Sequence, residues 1–229
     1  MREFYGSGSV GMAHWALRNV LLGSLGGEEK ESDVDKQATW ETLKQQAVER
    51  FGPGTVFGEG PLDARLTIVG EAPGQQEVEA ERPFVGRAGR LLDQVLEAAG
   101  IDRSGIYVTN TVKVRPTTEK GDRLKNRPPR AGEIRAGLEV LLPELRLVAP
   151  SVLVLLGNVP AKALINRSFA MGSDRGVWSE SVLSTPAIAT YHPAYLVRLR
   201  GTDFDRTRKL VVSDLVAAWE RARDAGEGN

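Results

Sequence analysis

The 229-residue chain contains no cysteine, which excludes disulfides, thiolate catalysis and any cysteine-ligated iron–sulfur or zinc centre. It carries no excess of charge either, since 30 Lys and Arg balance 30 Asp and Glu. A nucleic-acid partner would have to be met by a local basic patch, because global attraction is absent. No apolar run approaches the roughly 18 residues that a membrane span requires. The apolar stretch from Trp15 to Leu25 is broken by Arg18 and Asn19, and no clean cleavage pattern follows it, so a cytoplasmic protein is expected.

What remains is ordinary globular composition, with 41% hydrophobic and 26% charged residues. Residues 24–36 are polar without apolar period. The expected organisation is therefore an N-terminal segment, 1–30, of undetermined structure and a single domain over 31–229. Trp40, Leu43, Ala47, Val48 and Phe51 recur at helical spacing, and Gly52-Pro53-Gly54 ends the pattern. Short β-branched runs at 64–70, 105–110, 151–157 and 186–191 read as strands. Between them lie helical patterns, one with Leu91, Leu92, Val95 and Leu96 and one with Ile134, Leu138, Leu141, Leu142, Leu145 and Val148. Two more cover 161–165 and the stretch after Asp203. This alternation predicts an α/β three-layer sandwich around a central, mainly parallel four-stranded sheet. The face of Ile134, Leu138 and Leu142 is expected to pack on the Trp40 helix.

In such sheets ligands bind beyond the carboxyl ends of the strands. The unusual residues fall there: Glu71-Ala72-Pro73-Gly74 after the first strand, Asn110 closing the second, Gly157-Asn158 after the third and His192-Pro193 after the fourth. Taken singly, each has an everyday reading: a strand-to-helix turn, a helix cap, a structural histidine, a core aromatic for Phe84. Taken together they suggest a cleft. An asparagine amide offers a donor and an acceptor side by side, which match O4 and N3–H of uracil, whereas cytosine presents the reverse. His192, one of only two histidines, can donate to O2 of such a base as charge develops on it, and Phe84 can stack on the ring.

Two basic clusters flank these residues. The stretch from Lys113 to Arg135 holds eight basic residues against three acids, a local net charge of +5. Within it Lys113, Arg115, Arg123, Lys125 and Arg127 are candidate phosphate contacts. Asn158 and Lys162 after the third strand, and Arg198 after the fourth, extend the candidate DNA-binding set. Tyr195 and Leu196 are read as exposed apolar residues that wedge into the stack during base flipping.

In order and spacing, GEAPGQQE, PFVGRAGRLLD, YVTNTVKVRP, PSVLVLLGNVPAKALI and TYHPAYLVR resemble the family 4 uracil-DNA glycosylases and their relatives, from about Val56 to Trp219. The resemblance implies the uracil-DNA glycosylase fold and excision of flipped uracil to leave an abasic site. Uracil would be bound by Ala72, Gly74, Gln75, Glu77, Phe84, Asn110 and His192, with Glu77 near C5 to exclude thymine. Catalysis would fall to Glu71, Asn110 and His192. The partner would be uracil-containing DNA, the protein a monomer, and no cofactor is expected. The chain departs from the pattern in several ways. Family 4 members hold a four-cysteine cluster, but Val114 and Gly137 stand at two ligand positions and the N-terminal pair is missing. The Arg115–Arg130 connection approaches the length seen in crosslinking X-type relatives yet lacks their loop histidine. The HPS triplet reads His192-Pro193-Ala194. Ala72 stands where related enzymes with a Gly-Gln-Asp-Pro-Tyr loop place an aspartate, which leaves Glu71 as the candidate to orient water. Excision of other deaminated bases, or uracil-DNA binding with weak turnover, are the alternatives.

The purified protein should be colourless, fold without iron and show no visible charge-transfer absorption. A brown preparation with stoichiometric iron by elemental analysis would contradict the exclusion drawn from the missing cysteines.

Overall fold

The computed structural model describes residues 33–121 and 123–227. The expected N-terminal segment 1–30 lies outside them. Helices are α1 (Asp33–Phe51), α2 (Gln75–Ala80), α3 (Arg87–Ala98), α4 (Ala131–Val148), α5 (Asn158–Leu164), α6 (Met171–Asp174), α7 (Pro193–Leu196) and α8 (Gly201–Glu227). Strands are β1 (Leu66–Gly70), β2 (Tyr107–Asn110), β3 (Thr117–Lys120), β4 (Arg123–Asn126), β5 (Val152–Leu156), β6 (Trp178–Glu180) and β7 (Pro186–Thr190).

The main sheet has the order β2-β1-β5-β7-β6. Its first four strands are parallel, and β6 pairs antiparallel with β7 at the edge. The four expected strands are present; β6 is a fifth. Its three residues, Trp-Ser-Glu, have no alternating apolar pattern because the strand is only partly buried, so periodicity could not reveal it. A second difference lies in the basic segment, where β3 and β4 form a two-stranded hairpin turning at Gly121 with φ +59. Its strands are largely exposed and polar, and that composition reads as loop.

Side chains alternate between the faces of the parallel strands, as a period of two requires. Leu66, Ile68, Val152, Val154, Leu156 and Ile188 face one way and pack with Leu92, Val95 and Leu96 of α3 and Val211, Leu215 and Ala218 of α8. Val69, Leu153, Leu155, Ala187 and Ala189 face the other way, onto Leu141 and Leu145 of α4 and Ala161 and Leu164 of α5. Both faces are covered, so the strands are continuous apolar runs. Full burial of each such side chain contributes on the order of 1.5–3 kcal/mol, which makes these two layers, and not the surface ion pairs, the main support of the fold.

Helix α1 packs differently from expectation. Trp40, Leu43 and Phe51 pack around Ala47, Phe57 and Val140, and Trp40 also reaches the group of Ala64, Tyr107 and Val148. Leu138 and Leu142 instead pack with the sheet-facing cluster of α4. The register of α4 is responsible: Leu138, Leu141, Leu142 and Leu145 form the stripe over the sheet, and Val140 is left for α1. Val48 is 42% exposed.

A buried polar knot joins α4 to the sheet. Glu144 and Lys113 are both wholly buried and ion-paired. Glu144 also accepts hydrogen bonds from the Tyr107 hydroxyl (2.9 Å), the Thr109 hydroxyl (3.1 Å) and the Gly58 N–H (3.0 Å). Lys113 Nζ donates to Thr109 Oγ1 (2.7 Å), and Trp40 Nε1 donates to Tyr107 (2.8 Å). Burial pushes the Lys113 ammonium pKa down, with Glu144 opposing that shift.

Removing one partner leaves the other uncompensated, so Glu144→Ala should destabilise by about 3–5 kcal/mol in urea unfolding. The double variant Lys113→Met/Glu144→Leu should be less destabilised than the sum of Lys113→Met and Glu144→Leu. Strict additivity would show that the two charges do not act as a pair.

Candidate active site

The carboxyl ends of the parallel strands open into a cleft of about 320 Å³, a size suited to a small ligand. Its wall begins with the β1–α2 loop, where Ala72, Gly74 and Gln75 line the space. Glu77, one turn into α2, reaches back with both carboxylate oxygens: Gly74 N–H donates to Oε2 (3.1 Å) and Gly86 N–H to Oε1 (2.7 Å). One carboxylate thus clasps the two loops on either side of the cleft, and Glu77 lines it.

Phe84 is held in a left-handed conformation, φ +55, that a bulky residue rarely adopts. Two contacts impose it. Arg103 donates to the carbonyls of Pro83 (2.9 Å) and Phe84 (3.2 Å). Gly89 of α3 lies against the same backbone so tightly that a Cβ would fall 1.9 Å from the Phe84 carbonyl oxygen. Strain of this kind, sustained by surrounding structure, marks functional positions. The ring is 6% exposed and lies nearly parallel to His192, at 29° and 6.1 Å between centroids.

Asn110 ends β2 in register with Gly70, which ends β1. A Cβ on Gly70 would lie 2.4 Å from both Asn110 Oδ1 and Phe84 Cζ, so the absence of a side chain there lets amide and ring approach one another. Asn110 is 3% exposed, and its amide makes no side-chain hydrogen bond among the described residues although it lines the cleft. His192 is the N-cap of α7, and its Nδ1 accepts the Ala194 N–H (3.0 Å). With Nδ1 occupied as an acceptor, the neutral ring carries its proton on Nε2. Burial, reinforced by the charge of Arg198, pushes its pKa down to about 4, so the neutral form is present at physiological pH.

All seven residues singled out for uracil binding, Ala72, Gly74, Gln75, Glu77, Phe84, Asn110 and His192, are therefore gathered around one space. Glu71 sits beside it without lining it. Its carboxyl pKa is raised by burial, against the opposing charge of Arg198. Asn126, from the end of β4, also lines the cleft, with its carbonyl oxygen accepting from Arg115 Nε (2.6 Å). Asn126, Arg87 at the start of α3, and the supports Gly89 and Arg103 escaped sequence reasoning. The one available signal was the glycine pair in the GRAGR stretch; the hairpin that delivers Asn126 has no apolar period to reveal it.

Several candidate DNA contacts need correction. Lys113 is 0% exposed and committed to Glu144, so it cannot meet phosphate. Leu196 is 1% exposed in the core below α7 and cannot wedge into a base stack, whereas Tyr195 is 40% exposed. Arg127 is bound bidentately by Glu133 (2.7 Å twice) and also donates to the Thr117 carbonyl (2.9 Å), closing the base of the hairpin. Arg115 is engaged with Asn126. Arg123 and Lys125 are exposed on the hairpin, Asn158 and Lys162 are exposed on α5, and Arg198 is exposed with its guanidinium over Tyr195 (5.7 Å).

The iron–sulfur cluster implied by the family resemblance does not fit this chain. No thiol donor exists. At Gly137, one of the positions where a ligand would stand, α4 touches the chain after β2, and a Cβ would fall 2.2 Å from the Thr111 carbonyl oxygen.

A mainly parallel sheet of the α/β class thus gathers an aromatic face, an amide without a side-chain hydrogen bond among the described residues and a neutral imidazole at its carboxyl ends. Residues 57–216 match the profile of the uracil DNA glycosylase superfamily, and the chain belongs to that superfamily. It is 36% identical over 164 residues to a type-4 uracil-DNA glycosylase of Thermotoga maritima, covering 71% of this chain and 80% of the relative. It is 35% identical over 181 residues to the type-4 enzyme of Pyrobaculum aerophilum (73% and 89% covered) and 33% identical to that of Sulfurisphaera tokodaii (72% and 78%).

Gly70→Ala should abolish uracil binding measured by calorimetry, because the new methyl must displace the Asn110 amide or the Phe84 ring. The accompanying loss of stability should stay within the 1–3 kcal/mol usual for overpacking. Unchanged uracil affinity would mean that the amide and ring are not set by this approach.

Proposed function

We propose that this protein excises uracil from DNA, flipping the nucleotide into the cleft and hydrolysing the N-glycosidic bond to leave an abasic site. The observation that carries the reading is His192: a neutral imidazole with Nδ1 tied to Ala194 and Nε2–H free, beside the Phe84 ring and the unbonded Asn110 amide. In this reading the ring of Phe84 stacks on the base and Asn110 pairs with N3–H and O4. Glu77, fixed by two backbone N–H groups, forms the wall beside C5 that excludes the thymine methyl. As the C1′–N1 bond breaks, its electron pair goes to the departing uracil. The negative charge that develops at O2 is met by the Nε2–H donor of His192, a preorganised interaction worth on the order of 10²- to 10³-fold in rate. Water adds to C1′ and gives up a proton. Glu71, half-buried and with a raised pKa, is the candidate to orient that water.

Arg123, Lys125, Asn158, Lys162, Tyr195 and Arg198, all accessible, are the proposed DNA contacts of the sequence-derived set. No helix among the described residues is long and apolar enough to cross a membrane. A monomeric state and a cytoplasmic site of action are part of the proposal. Residues from about 31 onward are proposed to act as a single domain.

In single-turnover excision with saturating enzyme, His192→Ala should lose roughly 10²- to 10³-fold while keeping base preference. Asn110→Asp should lose uracil. For the wild type, a folded-state pKa near 4 keeps His192 neutral above that value, so ring protonation should cost no rate near pH 6.5, and the loss due to His192 should appear only as pH approaches 4, below the loss that protonation of Glu71 brings. The sign for stability follows: the neutral ring's contribution is complete above pH 6.5 and is lost as pH falls from 6.5 toward 4. A near wild-type rate for His192→Ala would make the histidine structural and remove the catalytic assignment.

A further inference from the structure

We infer that a second groove, rimmed by Arg87, Arg90 and Arg200, carries the phosphates of the DNA strand on one side of the flipped nucleotide. The inference rests on the excision reading and extends it to the path of the strand. The groove, about 300 Å³, lies between α3, α7 and the start of α8. Arg87 lines both this groove and the cleft, so the two spaces adjoin through one side chain.

The three arginines are exposed and face one concavity without a carboxylate partner. Arg50, Arg82, Arg103, Arg127 and Arg175 each pair with a carboxylate. Among the described residues no carboxylate lines the groove. Arg87 makes no hydrogen bond or ion pair there, and the side chain of Arg90 makes only a long contact to the Val85 carbonyl (3.4 Å). Arg200 uses Nη1 on the carbonyls of Val197 (2.9 Å) and Leu199 (2.7 Å), which fixes its position and leaves Nε and Nη2 for a ligand. Like charges converging on one concavity repel unless an anion joins them.

The floor between them is apolar, formed by Leu91, Leu196 and Phe204 among others. A free inorganic anion would satisfy the rim and leave that floor bare. A nucleic-acid strand satisfies both, with phosphates on the guanidinium groups and sugar and base over the apolar floor. Leu196 thus serves as buried floor to the strand's path, not as a wedge.

The test uses the full chain and Arg90→Gln/Arg200→Gln, which spares the cleft. Binding of a uracil-free single-stranded oligonucleotide is followed by fluorescence anisotropy across a salt series. Loss of two phosphate contacts should lower the slope of log K against log salt by about 1.4, at roughly 0.7 per contact, and Arg90→Lys should retain the slope. In parallel, single-turnover excision is measured on a minimal uracil substrate extended by three nucleotides on the 5′ or the 3′ side. The wild type should gain rate or affinity chiefly from one of the two extensions, and the double variant should lose that gain while handling the minimal substrate unchanged. An unchanged slope, an equal loss for both extensions, or competition by polyglutamate as effective as that by an oligonucleotide of equal charge would overturn the inference. If the wild type binds DNA, the variant shows the slope loss, and no uracil is excised from any substrate, the groove stands and the excision reading falls.

Discussion

The carboxylate of Glu144, buried under α4 with four donors around it, is the interaction on which the placement of the cleft depends. It holds Tyr107 and Thr109 of β2, Lys113 three residues past that strand, and the Gly58 backbone. Asn110 lies between two of these anchored residues. Its neighbour Thr111 is fixed as well, through both N–H (2.9 Å) and hydroxyl (2.8 Å), to the Gly70 carbonyl. The amide can therefore remain unbonded at the cleft without the strand end losing its position. A buried ion pair is seldom a strong source of stability in itself, because desolvation offsets most of the attraction. Its contribution here is geometric, joining helix, strand end and loop.

A second constraint is steric. Gly70 and Gly89 leave room where any side chain would collide, and Arg103 ties the loop that carries Phe84 into a backbone conformation it would not adopt alone. Glu77 then joins that loop to the one after β1. Aromatic ring, amide and imidazole reach one another because Gly70, Gly89, Arg103 and Glu77 enforce it. Preorganisation of this sort would, in the proposed excision, spare the protein from reorganising as charge develops on the base.

Much of this was legible in the chain. The parallel strands were found because strands buried on both faces must be runs of β-branched and aliphatic residues. The cleft residues were found because glycine, proline, asparagine and histidine at strand ends are out of keeping with such runs. Strand β6 and the β3–β4 hairpin were not legible, since neither buries a face and so neither carries a period. The same limit produced the errors at Lys113, Leu196 and Arg127. A lysine in a basic run reads as solvated, and only the fold reveals that Glu144 lies opposite it. Leucine in PAYL reads as loop, yet the short helix α7 turns it into the core.

The sequence by itself determined the order of elements, the two-sided burial of the sheet, the exclusion of a cysteine-held cluster and the residue types at the strand ends, because each is a property of local pattern or of composition. Only tertiary structure decided which charges are free. Arg87, Arg90 and Arg200 converge without acids, whereas Lys113 and Arg127 are neutralised by partners 31 and 6 residues away. Availability of a charge depends on what packs against it in space, and spacing along the chain carries no record of that.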